Sequence, residues 1–278
     1  MMTTEAMTIS SQDGLELYVR HWPLDHAKRV VCIIHGLGEH GGRYAEFAEK
    51  LNKHENAVFS LDCRGHGKSQ GKKGHARSYQ LLLSDVEELL KAARSEYTDL
   101  PIILFGHSMG GNIVASYAHE MNTNEISGFV LSAPWLKLAF DPPKWKVQMG
   151  NLLRSMLPGI QLSNELDPQN LSKDAIEVSK YIEDELIHDK LTPGLYFLIQ
   201  EAGLKNLSST EKISKPVFCY HGTQDNITSL RATRQFADGL SDGTWWAVEN
   251  GYHEPHHDEE RQQVFEKVIN WIETKIKN

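Results

Sequence analysis

Residues 102–114 read IILFGHSMGGNIV, and this segment gives the clearest indication of the fold. Its opening apolar run has the length and the branched side chains of a buried strand. A helical pattern follows, and between the two lies G-x-S-x-G, centred on Ser108. A strand, a tight turn with glycines around a serine, and a helix are the setting of a nucleophile elbow. Such a turn raises the Ser108 hydroxyl above the sheet and points the Met109 N–H at a developing oxyanion.

Outward from this stretch, short apolar runs alternate with helical patterns along most of the chain. An alternating pattern around Asp13-Gly14 predicts a hairpin near the start. Runs typical of buried strands then occupy residues 30–34, 57–61, 129–131, 217–220 and 245–248. Helical spacing of apolar residues separates most of these runs. The order predicts an α/β fold with a mostly parallel central sheet and helices on both faces.

The alternation stops between residues 134 and 213, where helical patterns occur without a convincing strand. We therefore predict a core of residues 1–133 and 214–278, with a helical cap, or lid, inserted at residues 134–213. Apolar residues crowd into the first half of this insertion. Within it, the residues that we predict to bind the substrate are Leu152, Leu153 and Met156.

Composition and charge exclude several classes of protein. Hydrophobic residues make up 40% of the 278, and 29 Lys and Arg against 37 Asp and Glu give a net charge of −8. A nucleic-acid-binding protein needs a basic face, so this balance argues against one. No apolar run approaches the length of a membrane span, and Met1 to Met7 show no secretory signal. Three cysteines cannot form a closed disulfide framework, so we expect a cytoplasmic protein.

An acid and a histidine follow the serine in the order that this fold requires. Asp225 comes just after the predicted strand at residues 217–220, and His253 comes just after the one at residues 245–248. Both stand in glycine-containing loops at the carboxyl ends of strands, where α/β folds build their sites. Each alone is a common loop residue, but the three in order predict a Ser-His-Asp triad of Ser108, His253 and Asp225.

Residues 36–41 satisfy G-x-G-x-x-G after a strand, with Asp62 at the end of the next strand. This is the setting of a dinucleotide-binding loop, so a nicotinamide-dependent reductase is one alternative function. The same position suits the second oxyanion donor of a hydrolase, which would be the Leu37 N–H. The serine triad accounts for more of the sequence. A further alternative is a non-catalytic ligand-binding protein on the same fold.

His253-Glu254-Pro255-His256-His257 satisfies H-E-x-x-H, which binds zinc when both outer histidines lie on one helix. Proline is best placed in the first turn of a helix. We therefore expect His253 in a loop and His257 on the helix, and we predict no metal and no organic cofactor. Gly67-Lys68-Ser69 lacks the earlier glycine of a phosphate-binding loop, and we reject that function for it.

Several motifs together resemble one family. They are HGLGEH at residues 35–40 with Arg43-Tyr44, DCRGHGKS at 62–69, GHSMGG at 106–111, LSAP at 131–134 and YHE at 252–254. In this combination they are similar to the monoacylglycerol lipase/lysophospholipase family of serine α/β-hydrolases over nearly the whole chain. Pro255 is a small departure, since relatives often carry an apolar residue there.

The resemblance implies a serine hydrolase that cleaves carboxylic esters of fatty acids. The implied catalytic triad falls on Ser108, Asp225 and His253, and the implied oxyanion N–H groups on Leu37 and Met109. The implied cap covers the insertion. A monoacylglycerol or a lysophospholipid is the implied kind of substrate, and the cap would make transient contact with a membrane surface.

Overall fold

The computed structural model describes residues 4–277. Residues 1–3 and 278, at the ends of the predicted core ranges, lie outside the described residues. The strands are β1 (Glu5–Ser10), β2 (Glu16–Trp22), β3 (Arg29–Ile34), β4 (Asn56–Leu61), β5 (Ile102–His107), β6 (Ile126–Ser132), β7 (Leu162–Ser163), β8 (Lys190–Leu191), β9 (Val217–Gly222) and β10 (Gly243–Val248). The helices are α1 (Ala45–Lys53), α2 (Tyr79–Glu96), α3 (Met109–Glu120), α4 (Lys144–Met156), α5 (Ala175–Glu183), α6 (Pro193–Leu207), α7 (Leu230–Asp238) and α8 (Arg261–Lys275).

Eight strands form one sheet in the order β1-β2-β4-β3-β5-β6-β9-β10. β1 pairs antiparallel with β2, which gives the predicted hairpin, and β2 pairs antiparallel with β4. The remaining neighbours, from β4 to β10, are parallel. The predicted α/β-hydrolase fold, with its mostly parallel sheet, is therefore confirmed.

Alternate side chains of each central strand face opposite layers of helices, because successive residues of a strand point to opposite faces. Cys32 and Ile34 of β3 pack in the cluster that α2 and α3 cover, together with α7. Val31 and Ile33 pack in the cluster that α1 and α8 cover. Every residue of β3, β4 and β5 is buried. This burial on both faces explains why these strands show continuous apolar runs rather than alternation.

The segment that connects β6 to β9 consists of two different parts. α6 packs on the core, since Leu195 and Ile199 belong to the same apolar cluster as α2 and α3. α4, in contrast, has no buried residue. β7 and β8 pair antiparallel over two residues each, a ribbon too short to leave a sequence pattern. Within residues 4–277, no helix has both the length and the apolar character needed to cross a membrane.

The chain after β10 differs from the expectation. Pro255–His257 form a single 3₁₀ turn, and α8 begins only at Arg261. His257 therefore lies before the helix and is buried. Its Nδ1 atom lies 3.1 Å from Glu254 Oε2 and its Nε2 atom 2.9 Å from the Arg43 carbonyl oxygen. These internal hydrogen bonds explain why a histidine in a charged stretch is not at the surface.

Candidate active site

Ser108 stands in the turn between β5 and α3 with φ 50° and ψ −113°. Residues other than glycine rarely adopt such a positive φ, so the turn is strained. Two glycines let the strand, turn and helix approach each other this closely. A Cβ on Gly106 would lie 2.5 Å from the Gly110 carbonyl oxygen, and a Cβ on Gly110 would collide with the Ile34 carbonyl group. The strained turn presents the Ser108 hydroxyl at the carboxyl edge of the sheet.

The structure brings Ser108, His253 and Asp225 together in one chain of contacts. Ser108 Oγ lies 3.0 Å from His253 Nε2, and His253 Nδ1 lies 2.7 Å from Asp225 Oδ2. Asp225 follows β9 and His253 follows β10, and these two parallel strands are neighbours. The carboxyl ends of parallel strands meet at one edge of a sheet, which places these loops beside the Ser108 turn.

The Asp225 carboxylate is fixed and ionised. Its Oδ1 atom accepts hydrogen bonds from the Ile227 and Thr228 N–H groups at 2.7 and 3.0 Å. Burial alone would raise the pKa of Asp225, but the neighbouring His253 and His221 hold it well below its ordinary value. The carboxylate therefore accepts the His253 Nδ1–H, which leaves the Nε2 lone pair to accept the Ser108 hydroxyl proton.

The protonation of His253 depends on two opposed effects. Burial disfavours the charged imidazolium, whereas the Asp225 carboxylate favours it. Together with the Glu254 and Glu39 carboxylates it outweighs burial, so the pKa of His253 is raised above its ordinary value. A basic imidazole in contact with a serine hydroxyl can remove its proton during attack on a carbonyl carbon.

Leu37 and Met109, the predicted oxyanion donors, both lie beside Ser108. Leu37 lines the cavity that contains the serine, and Met109 is the first residue of α3. Among the described residues, neither backbone N–H donates a hydrogen bond within the protein. The N-terminus of a helix also carries a partial positive charge. These two N–H groups and the helix N-terminus form an environment suited to an oxygen on which negative charge develops.

A cavity of about 500 Å³ opens over Ser108 and extends beneath α4. Its walls are mainly apolar. They include Trp145, Val147, Met149, Leu153, Leu162 and Phe197. A slot of this kind accommodates a hydrocarbon chain whose ester carbonyl lies against the serine.

The three acyl-binding candidates on α4 do not share one environment. Leu153 lines the cavity, one turn after Met149. The structure differs from the expectation for Leu152 and Met156, which are 54% and 70% exposed and are not among the residues that line the cavity. They lie one turn apart on a face of the helix that meets solvent. Apolar residues occur on more than one face of α4, so the sequence could not indicate which face lines the cavity.

A buried ion network that the sequence analysis missed lies at the polar end of the cavity. The Arg43 guanidinium donates to Glu39 Oε2 at 2.9 Å and to both oxygens of Glu254 at 2.7 and 2.6 Å. Glu39 Oε1 accepts from the Gly36 N–H at 2.7 Å and from the Tyr44 hydroxyl at 3.0 Å. Burial would raise the pKa of Glu254, but Arg43 holds it well below its ordinary value. The network joins the loop of Leu37 to the loop of His253.

A metal site fits these residues less well than a serine triad does. Glu39, His107 and Glu254 bring three ligand atoms within 4.8 Å of one another, but both carboxylates are already paired with the Arg43 guanidinium. His253 and His257 do not share a helix, as expected. The absence of a bound metal remains a prediction.

The dinucleotide-binding alternative requires Asp62 to be available to a ribose. Asp62 is fully buried, and its oxygens accept from the Gly41 and Lys68 N–H groups at 2.8 Å and from Arg20. It therefore holds its own loops together and has no access to a ligand. This argues against a nicotinamide cofactor in this loop.

The chain is similar to known hydrolases in sequence and in structure. Residues 25–260 match the Hydrolase_4 family, described as serine aminopeptidase, S33. A monoacylglycerol lipase from Mycolicibacterium smegmatis is 31% identical, with 93% of each chain covered. The crystal structure of a monoacylglycerol lipase from Paleococcus ferrophilus is 30% identical with a TM-score of 0.81, covering 99% of this chain and 100% of that one. An uncharacterized abhydrolase domain-containing protein from Dictyostelium discoideum is 31% identical, and the chain spans 30% of its length.

Proposed function

The chain belongs to the monoacylglycerol lipase/lysophospholipase family of serine α/β-hydrolases and is an ester hydrolase, and from this premise we propose that Ser108, His253 and Asp225 are its catalytic triad. The observation that carries the proposal is the continuous chain of contacts from Ser108 Oγ through His253 to Asp225, at 3.0 and 2.7 Å. These distances allow direct proton transfer and orientation of the imidazole.

The first half of the reaction acylates the serine. His253 Nε2 takes the Ser108 proton as Oγ attacks the ester carbonyl carbon. The Leu37 and Met109 N–H groups stabilise the negative oxygen of the tetrahedral intermediate. Asp225 stabilises the imidazolium, which then protonates the leaving alcohol as the ester bond breaks.

In the second half, His253 removes a proton from a water molecule that attacks the acyl carbon. The second tetrahedral intermediate collapses, the proton returns to Ser108, and the fatty acid leaves. The chain's own residues supply every proton transfer in this scheme, and it uses no metal or organic cofactor.

The segment at residues 134–213 is proposed as the cap over the core of residues 1–133 and 214–278. Its helix α4 supplies much of the apolar wall above Ser108 through Trp145, Met149 and Leu153. Transfer of a hydrocarbon chain from water to such a wall contributes about 0.8 kcal/mol per methylene. We therefore propose a fatty acyl ester as the substrate.

The polar end of the cavity favours a neutral polyol over a phosphate as the alcohol part of that ester. Glu39 and Glu254 line the cavity there with carboxylates, which accept hydrogen bonds from hydroxyl groups and repel a phosphate. Among the described residues, Lys146 is the single lysine or arginine of the lining, and it pairs with Glu165 at 2.6 Å. A monoacylglycerol suits this charge pattern better than a lysophospholipid does.

The outer face of α4 is proposed to contact a membrane surface transiently. Leu152 and Met156 on this face are 54% and 70% exposed. Lys144, Lys146 and Arg154 flank them on the same helix. An amphipathic helix with exposed apolar residues and basic neighbours is suited to binding at a lipid–water interface.

The cysteines support the proposed cytoplasmic location. Cys32, Cys63 and Cys219 are free thiols buried in the core, as is usual in a reducing compartment.

Hydrolysis of matched substrates tests the proposed function. A monoacylglycerol and a lysophospholipid with the same acyl chain are compared above and below their aggregation concentrations, with Ser108→Ala as the control. We expect faster release of fatty acid from the monoacylglycerol and almost none from the variant. Faster hydrolysis of the lysophospholipid would contradict the proposed head group, and an active Ser108→Ala variant would contradict the triad. Binding of a lipid without hydrolysis by the wild type would favour a non-catalytic protein.

A further inference from the structure

His221 is a fully buried histidine beside the proposed triad, and the mechanism above does not use it. It lies near the end of β9, one residue before Gly222. Its Nε2 atom lies 2.9 Å from Asp225 Oδ2 and 3.2 Å from the Thr228 carbonyl oxygen. On the other side of the ring, Nδ1 lies 2.9 Å from Thr233 Oγ1.

The neighbours of the ring fix the proton on Nε2. A carboxylate oxygen and a carbonyl oxygen can only accept hydrogen bonds, so Nε2 carries a hydrogen in either protonation state of His221. The Thr233 hydroxyl can donate to Nδ1 or accept from it, and it holds the ring orientation in both cases. His221 therefore always presents an N–H dipole to the Asp225 carboxylate.

Both histidines contact the same carboxylate oxygen of Asp225. Asp225 Oδ2 is the atom that lies 2.7 Å from His253 Nδ1, and it is also the atom nearest to His221. Thr228 Oγ1 donates to it as well, at 2.9 Å. A buried histidine that served only to fill space would be satisfied by its threonine contacts and would not need to approach the carboxylate.

We infer that His221 is a positioning residue for the triad, an inference that rests on the proposed function. Its Nε2–H holds Oδ2 in place and stabilises part of the carboxylate's negative charge. Loss of this donor would leave Asp225 Oδ2 less constrained, and the His253 imidazole with it. The negative charge of Asp225 would then interact more strongly with His253, which raises the pKa of that histidine.

The first test compares His221→Leu, which removes the donor, with His221→Gln, whose amide nitrogen can replace Nε2. We expect His221→Leu to lower kcat about tenfold or more with little change in KM, which is the effect of losing a hydrogen bond to a charged group. His221→Gln should recover most of this loss. Labelling of Ser108 by a fluorophosphonate should slow in parallel, because it depends on the same activation.

The pH dependence of kcat/KM separates positioning from a general loss of folded protein. We expect the acid limb of His221→Leu to move to higher pH. Asp225, His107, Glu39 and Glu254 also act on the charge of His253, and the substitution leaves all four in place. A variant that is merely less folded would lose activity without any movement of the limb, and this result would overturn the inference.

Thr233 provides an independent test should His221→Leu not fold. Thr233→Val removes the hydroxyl that orients the His221 ring, whereas the control Thr233→Ser keeps it. We expect Thr233→Val to lower kcat and the labelling rate and Thr233→Ser to resemble the wild type. Equal rates in the two variants would overturn the inference while Ser108→Ala remained inactive. An active Ser108→Ala would instead contradict the proposed triad itself, so the two failures are distinguishable.

Discussion

Arg43 and Glu254 form a bidentate ion pair across 211 residues of sequence, with N–O distances of 2.7 and 2.6 Å. Glu254 is the residue immediately after His253, and Arg43 also contacts Glu39 in the loop of Leu37. All three side chains are almost fully buried. The pair therefore holds the loops of the proposed catalytic base and of one proposed oxyanion donor in a fixed relation.

Substitution of Arg43 should destabilise the folded protein strongly. Arg43→Met leaves two buried carboxylates without a counter-charge, and breaking a buried pair in this way costs about 3–5 kcal/mol. Arg43→Lys keeps the charge but not the bidentate geometry, so we expect a smaller loss. Urea unfolding of the two variants and the wild type measures the difference. Equal free energies of unfolding for Arg43→Met and the wild type would contradict this view of the network.

The activity should fall on acidification at a pH above the ordinary histidine value. His253 must be neutral to accept the Ser108 proton, and its pKa is raised from 6.5 because the Asp225, Glu254 and Glu39 carboxylates together outweigh the effect of burial. The value of kcat/KM should therefore rise with pH through a midpoint above 6.5 and then level off. A soluble short-chain ester, assayed in buffers of constant ionic strength, provides the measurement. A midpoint below 6.5 would contradict the assignment of His253 as the base.

The stability should decrease on acidification below about pH 6.5, partly through His256. This histidine is buried, and within the described residues its Nε2 atom has no partner. Burial, followed by His257 and His107, holds its pKa well below 6.5. Below pH 6.5 the unfolded chain then binds more protons than the folded one. The free energy of unfolding therefore decreases as the pH is lowered, by up to about 1.4 kcal/mol per pH unit for this group.

The variant His256→Phe isolates this contribution. It retains an aromatic ring beside Tyr44, on which His256 stacks at 5.1 Å, but it cannot titrate. Urea unfolding between pH 5 and 6.5 should give a shallower pH dependence for the variant than for the wild type. Parallel curves would show that His256 does not contribute.

Acyl-chain selectivity should depend on Leu153 and not on Leu152, its neighbour on α4. For soluble esters from acetyl to octanoyl, kcat/KM of the wild type should rise by up to about fourfold per methylene. Leu153→Gln places a polar group in the cavity wall and should flatten this rise, whereas Leu152→Gln should leave it unchanged. The opposite pattern, or selectivity that survives both substitutions, would mean that α4 does not form the acyl site.

The exposed face of α4 gives a complementary prediction. Leu152→Gln and Met156→Gln should weaken sedimentation of the protein with lipid vesicles and slow hydrolysis of a vesicle-borne monoacylglycerol, because these side chains face solvent. Hydrolysis of soluble esters by the same variants is the control. Unchanged vesicle binding would contradict the proposed membrane contact.

The sequence predicted those features that depend on local patterns. β3, β4 and β5 are short and mainly apolar because both of their faces are buried, and this is visible in single runs of residues. Ser108 was identified by the glycines that its turn requires. Asp225 and His253 were identified because loops after parallel strands converge on one edge of a sheet. In the first two cases the signal lies within a few residues, and in the third it comes from a rule that holds for parallel sheets in general.

Features that depend on distant contacts could not be predicted. The motifs contain Arg43 and Glu254, but their ion pair becomes visible only when the fold brings their loops together, and His221 is recognisable only by its distance from Asp225. The difference between Leu153 and its neighbours on α4 has a related cause. Apolar residues of α4 occur both along the cavity and on the exposed surface, and only the position of the cavity in the fold distinguishes Leu153 from Leu152 and Met156.

The most direct test of the central claim is the site of covalent labelling by a fluorophosphonate. This reagent phosphonylates a serine only when a neighbouring base activates it. We predict one adduct per chain by intact mass, located on Ser108 by peptide mass spectrometry, with loss of esterase activity in proportion to labelling. His253→Ala should abolish labelling while remaining folded. An adduct on another residue, or an enzyme that remains active when Ser108 is fully modified, would contradict the proposed triad.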